Sequence, residues 1–254
     1  MLSVERKAQI KDIVMEKKSV TVTDLAKKFN VTEETIRRDL KSLEENGVLN
    51  RTYGGAYIVD GVINDIKASI RETIFNESKT NIAKISAELI NHGDSIFLDS
   101  STTACFICNE IPNKRLTVIT NSLLAVNRLK DNPNISLIAI GGAFNSTRMS
   151  FEGKSAILAL ERYFVDKAFL SCRSLSIEHG ITDASEGSAE IRQLMLDHAK
   201  EVYLIADNTK FGKTSFVTIG NFEKINAVIV DQTLSSEWHS FFEKKNIKLY
   251  EHRK

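Results

Sequence analysis

Two adjacent arginines on a short helix are the first residues in this chain whose types and spacing suggest chemistry. Between residues 33 and 46 the sequence EETIRRDLKSLEEN sets Ile36, Leu40 and Leu43 on one face at the helical period. Glu34, Arg37, Arg38 and Lys41 then point the other way, with Thr35 on the flank and Thr32 just ahead of the first turn. Such a narrow polar face fits the major groove of DNA, where a guanidinium bonds the O6 and N7 edge of guanine through two N–H groups. The same charges could belong to an ordinary solvated helix, so the elements around them decide the reading.

A second constellation lies at residues 99–104. Asp99-Ser100-Ser101-Thr102-Thr103-Ala104 follows an apolar run and opens a helical one. Backbone N–H groups and hydroxyls at a helix N-terminus favour an anion such as phosphate. By spacing alone the segment is equally a plain capped turn. The other reactive side chains fall into no site. Cys105 and Cys108 have metal or redox spacing, but no second pair completes a tetrahedral set, and they read as small apolar residues of a buried helix. The five histidines show no ligand spacing. No metal, no cofactor and no catalytic residue is expected.

The elements that must position the arginines are legible. Ile10, Ile13 and Val14 form a helical stripe, SVTV is a short β-like stretch, and Thr23 with Asp24 reads as the cap and first turn of DLAKKF. Asn30-Val31 makes a tight turn into the Arg37–Arg38 helix, and Gly47 closes it as a C-cap. Val48–Arg51 and Ala56–Val59 flank Gly54-Gly55 like the arms of a hairpin carrying Arg51 and Tyr53. Helix, helix, turn, helix, hairpin is the layout of a winged helix-turn-helix.

From about residue 78 the pattern changes to short apolar runs alternating with amphipathic helices. The runs fall at 95–98, 116–119, 136–140, 168–172, 203–206, 227–230 and 247–250; the helices at 82–90, 103–110, 123–130, 156–163, 189–199 and 237–245. Continuous apolar strands with helical crossovers predict an open, mainly parallel α/β sheet covered on both faces. The expected organisation is therefore 1–58 as the DNA-binding domain, 59–77 as a linker and 78–254 as an α/β domain.

Composition permits this reading without directing it. The chain has 254 residues, 26% of them charged, with a formal net charge of +1. Residues 1–58 hold 11 Lys and Arg against 9 Asp and Glu, so a DNA site must be a local stripe of cations. No apolar run approaches the roughly 20 residues of a membrane helix, and the charged start lacks the apolar stretch of a signal peptide. The expected place is the cytoplasm, with no membrane partner.

Residues 23–56, TDLAKKFNVTEETIRRDLKSLEENGVLNRTYGGA, resemble the N-terminal module of the DeoR family of bacterial regulators. The family's TIRRDL helix is matched in full by Thr35 to Leu40. Its Arg-x-His-Gly-Gly-Ala wing reads Arg51-Thr52-Tyr53-Gly54-Gly55-Ala56 here, so Tyr replaces His and cannot become cationic near neutral pH. The resemblance continues with Asp99 to Thr103, Thr120-Asn121-Ser122, Gly141-Gly142 and Ala206 to Gly212, landmarks of the family's C-terminal sensor. That sensor is similar to ribose-5-phosphate isomerase and CoA-transferase-like folds. Two segments depart from the family: Ser171-Cys172-Arg173-Ser174-Leu175, and Glu190-Ile191-Arg192 in place of Glu-Val-Lys.

The resemblance implies a transcriptional regulator, most often a repressor of a carbohydrate-utilisation operon, controlled by a phosphorylated sugar or related metabolite. Its partners would be double-stranded operator DNA, the effector and further copies of itself, as a dimer or larger homo-oligomer. DNA contacts would come from Thr32, Glu34, Thr35, Arg37, Arg38, Lys41, Arg51, Tyr53, Gly54 and Gly55. Effector contacts would come from Asp99, Ser100, Ser101, Thr102, Thr103, Asn121, Ser122, Gly141, Gly142, Arg173, Arg192, Asp207 and Lys210. The alternative is a sugar-phosphate isomerase carrying a DNA-binding module. Proton transfer needs a carboxylate base, and residues 171–175 supply none.

Overall fold

The computed structural model describes residues 2–46, 48–58 and 67–252. The chain divides into two compact units, 1–76 and 77–254.

The first unit runs α1 (Ser3–Lys17), β1 (Ser19–Thr21), α2 (Val22–Phe29), α3 (Glu33–Glu45), β2 (Asn50–Thr52), β3 (Gly55–Tyr57) and α4 (Ala68–Arg71). Its core gathers Ile10 and Val14 from α1, Leu25 from α2 and Ile36, Leu40 and Leu43 from α3. Each such side chain taken fully out of water contributes about 1.5–3 kcal/mol. Asn30, at φ 51°, ends α2 in the left-handed region, and Thr32 opens α3 by accepting the Thr35 N–H at 3.3 Å. The cap of α2 differs from expectation. Thr21, not Thr23, accepts the Asp24 N–H, at 3.0 Å, which frees the Thr23 hydroxyl to donate to Glu33 Oε1 at 2.9 Å.

The wing is a three-stranded antiparallel sheet in the order β1-β3-β2. Gly55 is required by that packing, since a Cβ there would stand 2.0 Å from the Val20 carbonyl oxygen. Beyond the wing the chain returns to this unit: the Lys67 N–H donates to Ser19 Oγ at 2.9 Å, and Ala68 and Ile70 are buried. The C-cap expected at Gly47 and the linker residues 59–66 lie outside the described residues.

The second unit begins with α5 (Asn76–Glu88), β4 (Ser95–Leu98), α6 (Thr102–Glu110), β5 (Leu116–Thr120), α7 (Leu123–Leu129) and β6 (Ile135–Ala139). A hairpin of β7 (Ala143–Asn145) and β8 (Ser150–Glu152) follows, then α8 (Lys154–Leu160) and β9 (Val165–Leu170). Next come β10 (Ser174–Ser176), β11 (Gly180–Asp183), α9 (Glu186–Asp197) and β12 (Ala199–Ala206). The unit ends with β13 (Val217–Gly220), β14 (Ala227–Val230), α10 (Ser236–Lys244) and β15 (Lys248–Glu251).

All seven expected strands enter one sheet, in the order β15-β14-β12-β9-β4-β5-β6, and every neighbouring pair is parallel. Apolar clusters fill the space between the sheet and its helices. The chain goes from β4 outward through β5 and β6, then returns to place β9 on the other side of β4. Ligands of open parallel sheets sit at the carboxyl ends of the strands at such a reversal. Among the described residues no helix is long and apolar enough to cross a membrane.

Candidate functional site

The helix α3 presents its charged face as the periodicity requires. Ile36, Leu40 and Leu43 are buried, while Glu34, Arg38 and Lys41 are exposed and Thr35 and Arg37 half-buried. The two arginines differ in freedom. The Arg37 guanidinium bonds Glu33 Oε2 at 2.8 Å, and Glu33 is itself held by Thr23. Arg38 is 80% exposed in its side chain, with Glu34 no nearer than 3.6 Å. On the wing, Arg51 Nε bonds Glu44 Oε2 at 2.7 Å, and Tyr53 stands 90% exposed at the turn between β2 and β3. The Arg51 hydrogen bonds hold the Glu44 carboxyl below its usual range. Gly54 has open space where a Cβ would be.

Asp39, the acidic residue of TIRRDL, points inward instead. Its Oδ2 accepts Arg6 Nε at 2.5 Å and Oδ1 accepts the Ser3 hydroxyl at 3.2 Å, and both members of the ion pair are buried. The hydrogen bond to Asp39 raises the pKa of Arg6. Sequence reasoning missed this pair. A charged residue on the apolar side of each helix was the available signal.

In the second unit the landmarks expected from sequence converge at the carboxyl ends of β4, β5, β9 and β12. Asp99, 1% exposed, accepts the Ser101 N–H on Oδ1 and the Ser171 N–H on Oδ2, both at 2.9 Å, and Arg192 Nε on Oδ2 at 2.6 Å. Burial pushes its carboxyl up, but Arg192 and these hydrogen bonds outweigh that and hold it below its ordinary value. Arg192 also bonds Asp183, and the two carboxylates keep its guanidinium firmly protonated against burial. The Lys210 ammonium donates to Ser171 Oγ at 2.7 Å and lies 3.8 Å from Asp207, whose other oxygen accepts the Thr209 N–H at 3.1 Å.

The start of α6 is built around this cluster. Ser101 caps it by accepting the Ala104 N–H at 3.0 Å. Between these bonds the N–H groups of buried Thr102 and Thr103 meet no protein acceptor among the described residues. Ser100 is buried on the same loop. One strand over, Asn121 is 1% exposed; its side-chain N–H donates to the Phe151 carbonyl at 2.9 Å, while its Oδ1 has no partner among the described residues. Ser122 caps α7 through the Ala125 N–H at 3.2 Å.

Other expected contacts have structural duties. Gly142 (φ 154°) lets the hairpin close on α8, since a Cβ there would come within 2.7 Å of the Glu152 carbonyl oxygen. Gly141 beside it is exposed. Arg173, half-buried, donates its backbone N–H to the Thr182 carbonyl at 3.0 Å.

Both units match family descriptions: residues 6–62 the DeoR-like helix-turn-helix domain and residues 74–232 the DeoR C terminal sensor domain. The uncharacterized HTH-type transcriptional regulator YulB of Bacillus subtilis (strain 168) is 37% identical over 98% of this chain and 96% of its own. This chain belongs to the DeoR family. The HTH-type transcriptional repressor GlcR of the same organism is 32% identical over 98% and 96% of the two chains. These relatives are transcriptional regulators along their whole length, as this DeoR-family chain is, and not enzymes. Ribose 5-phosphate isomerase A of Methanocaldococcus jannaschii is a structural neighbour at 19% identity, covering 52% of this chain and 53% of its own with a TM-score of 0.39.

The candidate site in this DeoR-family chain contains side chains that sequence reasoning passed over. Arg148, Glu152, Asp183 and Ser188 join it from the β7–β8 hairpin, β11 and α9. The residues of 171–175 bring no carboxylate, but Asp183 and Glu152 arrive from elsewhere in the chain. Both are already engaged, Asp183 by two guanidiniums and Glu152 by the Ser150 and Ser188 hydroxyls. The short polar strands that deliver them carry little apolar periodicity. Buried Cys172 lies in the same region, and burial pushes its thiol up to about 12. Cys105 and Cys108 are also buried, with the Cys108 thiol raised by its hydrogen bond to Cys105 and by burial. No group of metal-ligating side chains occurs among the described residues.

Proposed function

We propose that this DeoR-family regulator represses a carbohydrate-utilisation operon and is controlled by a phosphorylated sugar or related metabolite bound where β4 and β9 part. One observation carries the effector reading: two buried N–H groups without acceptors at the start of α6, beside an unpartnered buried Asn121 oxygen. A buried unpaired donor costs about 1–3 kcal/mol, which a ligand's anionic oxygens would recover. Register sets Leu98 opposite Thr120, so the two features close neighbouring strands. Lys210 supplies the nearby cation, and Asn121 and Asp207 take ligand hydroxyls. Repression is supported by relatives such as GlcR, a repressor.

DNA is read by the exposed face of α3, from Thr32 to Lys41, with Arg51, Tyr53 and the two glycines of the wing on the backbone. The regulator works in the cytoplasm as a dimer or larger homo-oligomer, because two-fold operators call for two recognition helices.

Calorimetry on matched phosphorylated and free sugars tests the effector site. The phosphorylated form should bind at least tenfold more tightly. Thr102→Pro, which removes one N–H at a helix position where proline is tolerated, should reduce that preference. Lys210→Ala should do the same. Equal affinity for the two forms, or no loss in either variant, would make the 99–104 loop a capped turn only.

A further inference from the structure

The acidic side chains on the hairpin side of the sensor site are not all matched by cations among the described residues, and this has a consequence for what the site accepts. Arg148 Nη1 donates to Ser188 Oγ at 2.7 Å and reaches Asp183 Oδ1 at 3.5 Å. The Ser188 hydroxyl in turn donates to Glu152 Oε1 at 3.1 Å, an oxygen to which the Ser150 hydroxyl also donates at 2.8 Å. Arg192 closes the chain between Asp183 and Asp99. Among the described residues, Asp99 and Asp183 thus meet guanidiniums and Asp207 meets Lys210, whereas Glu152 has no ion-pair partner.

Glu152 is the unmatched member. It meets hydroxyls and, at 3.4 Å, the Asn145 amide, and its carboxylate lies against the first turn of α9. Gly187 makes room for it, since a Cβ there would stand 2.9 Å from Glu152 Oε2. The N-terminus of α9 thus already has an anion, whereas the N-terminus of α6 has two free donors. In a low-dielectric site like charges repel strongly, whereas hydroxyls donate well to a carboxylate.

We propose that Glu152 is a specificity determinant, and that the sensor selects phosphates whose remaining carbons bear only hydroxyl or carbonyl groups and rejects phosphorylated sugar acids. The proposal rests on the effector reading above. The phosphate occupies the start of α6, and the uncharged tail extends toward the hairpin, donating to Asn121 Oδ1 and to the carboxylates. A tail carboxylate would add a second negative charge where one is already unmatched.

The test is calorimetry on the full chain with four-, five- and six-carbon alditol phosphates, each against the aldonate phosphate of the same length. For whichever length binds, the acid is expected at least tenfold weaker. Glu152→Gln, which keeps the side-chain shape and an acceptor oxygen, should narrow that gap by strengthening the acid. Thermal melting without ligand checks that the variant folds, and if it does not, the wild-type comparison alone decides. Acid binding as tightly as alditol, or an unchanged gap in folded Glu152→Gln, overturns the proposal while leaving the phosphate site standing. Binding by neither series overturns both.

Discussion

Arg6 and Asp39 form a buried ion pair, 2.5 Å from Nε to Oδ2, that fastens α1 to α3 on the side away from Arg37 and Arg38. Removing one partner strands a charge out of water. Arg6→Met is expected to destabilise the first unit by about 3–5 kcal/mol. DNA affinity should fall with it, although Arg6 lies on the inner side of the bundle. Urea titration and a gel-shift series on the same variant check the two effects together.

Arg38 is expected to matter more for sequence choice than Arg37, because Glu33 and Thr23 restrain the latter. Arg38→Ala should cost about 1–3 kcal/mol on the preferred site and relax discrimination at one base pair. Competition binding against a library of single-base operator variants reads this out. An Arg37→Ala, Arg38→Ala chain that kept full operator affinity would show that α3 does not read DNA.

Arg51 should act on all sequences alike. Its loss is expected to weaken binding to any duplex and to lower the slope of affinity against salt by about 1. Because Glu44 holds the Arg51 guanidinium at 2.7 Å, Glu44→Gln should strengthen binding at low salt. Titrations at several salt concentrations separate the two variants.

Asp99 makes the sensor acid-sensitive. Its folded carboxyl lies below the ordinary value, so the unfolded chain binds the extra proton and stability rises with pH through that window. The contribution is complete above the unfolded carboxylate pKa of about 4 and is lost as pH falls through the folded value. Asp99→Asn should therefore be less stable than the parent at pH 7 and show a flatter decline on acidification. Denaturant unfolding followed from pH 7 to pH 3 tests both signs.

The sensor should also fold without the DNA-binding unit. Its sheet and helices fall within the compact unit 77–254. A fragment of those residues is expected to give a native-like circular dichroism spectrum and to bind phosphorylated effector as the full chain does. An unfolded fragment would move the boundary.

Local order is what the sequence determined by itself. Ile36, Leu40 and Leu43 recur at the period of a helix, which forces Arg37, Arg38 and Lys41 outward whatever surrounds them. The seven sheet strands were legible because strands buried on both faces must be continuously apolar, and TIRRDL with its glycine wing was specific enough to give the family. Only tertiary structure decided what the charged residues do. The place of Asp39 on the apolar side of its helix marks it as unusual, but only α1 supplies the Arg6 that pairs with it. Glu152 and Asp183 sit on three- and four-residue strands too short and too polar to leave a pattern, and Arg148 sits on the turn between β7 and β8. Asp99 meets Arg192 across 93 residues of chain, and Asp183 meets Arg148 across 35. Periodicity reports the face that a residue shares with its sequence neighbours. The partner that fixes its charge comes from the order of the strands, which places β9 beside β4 and lets distant loops share one crevice.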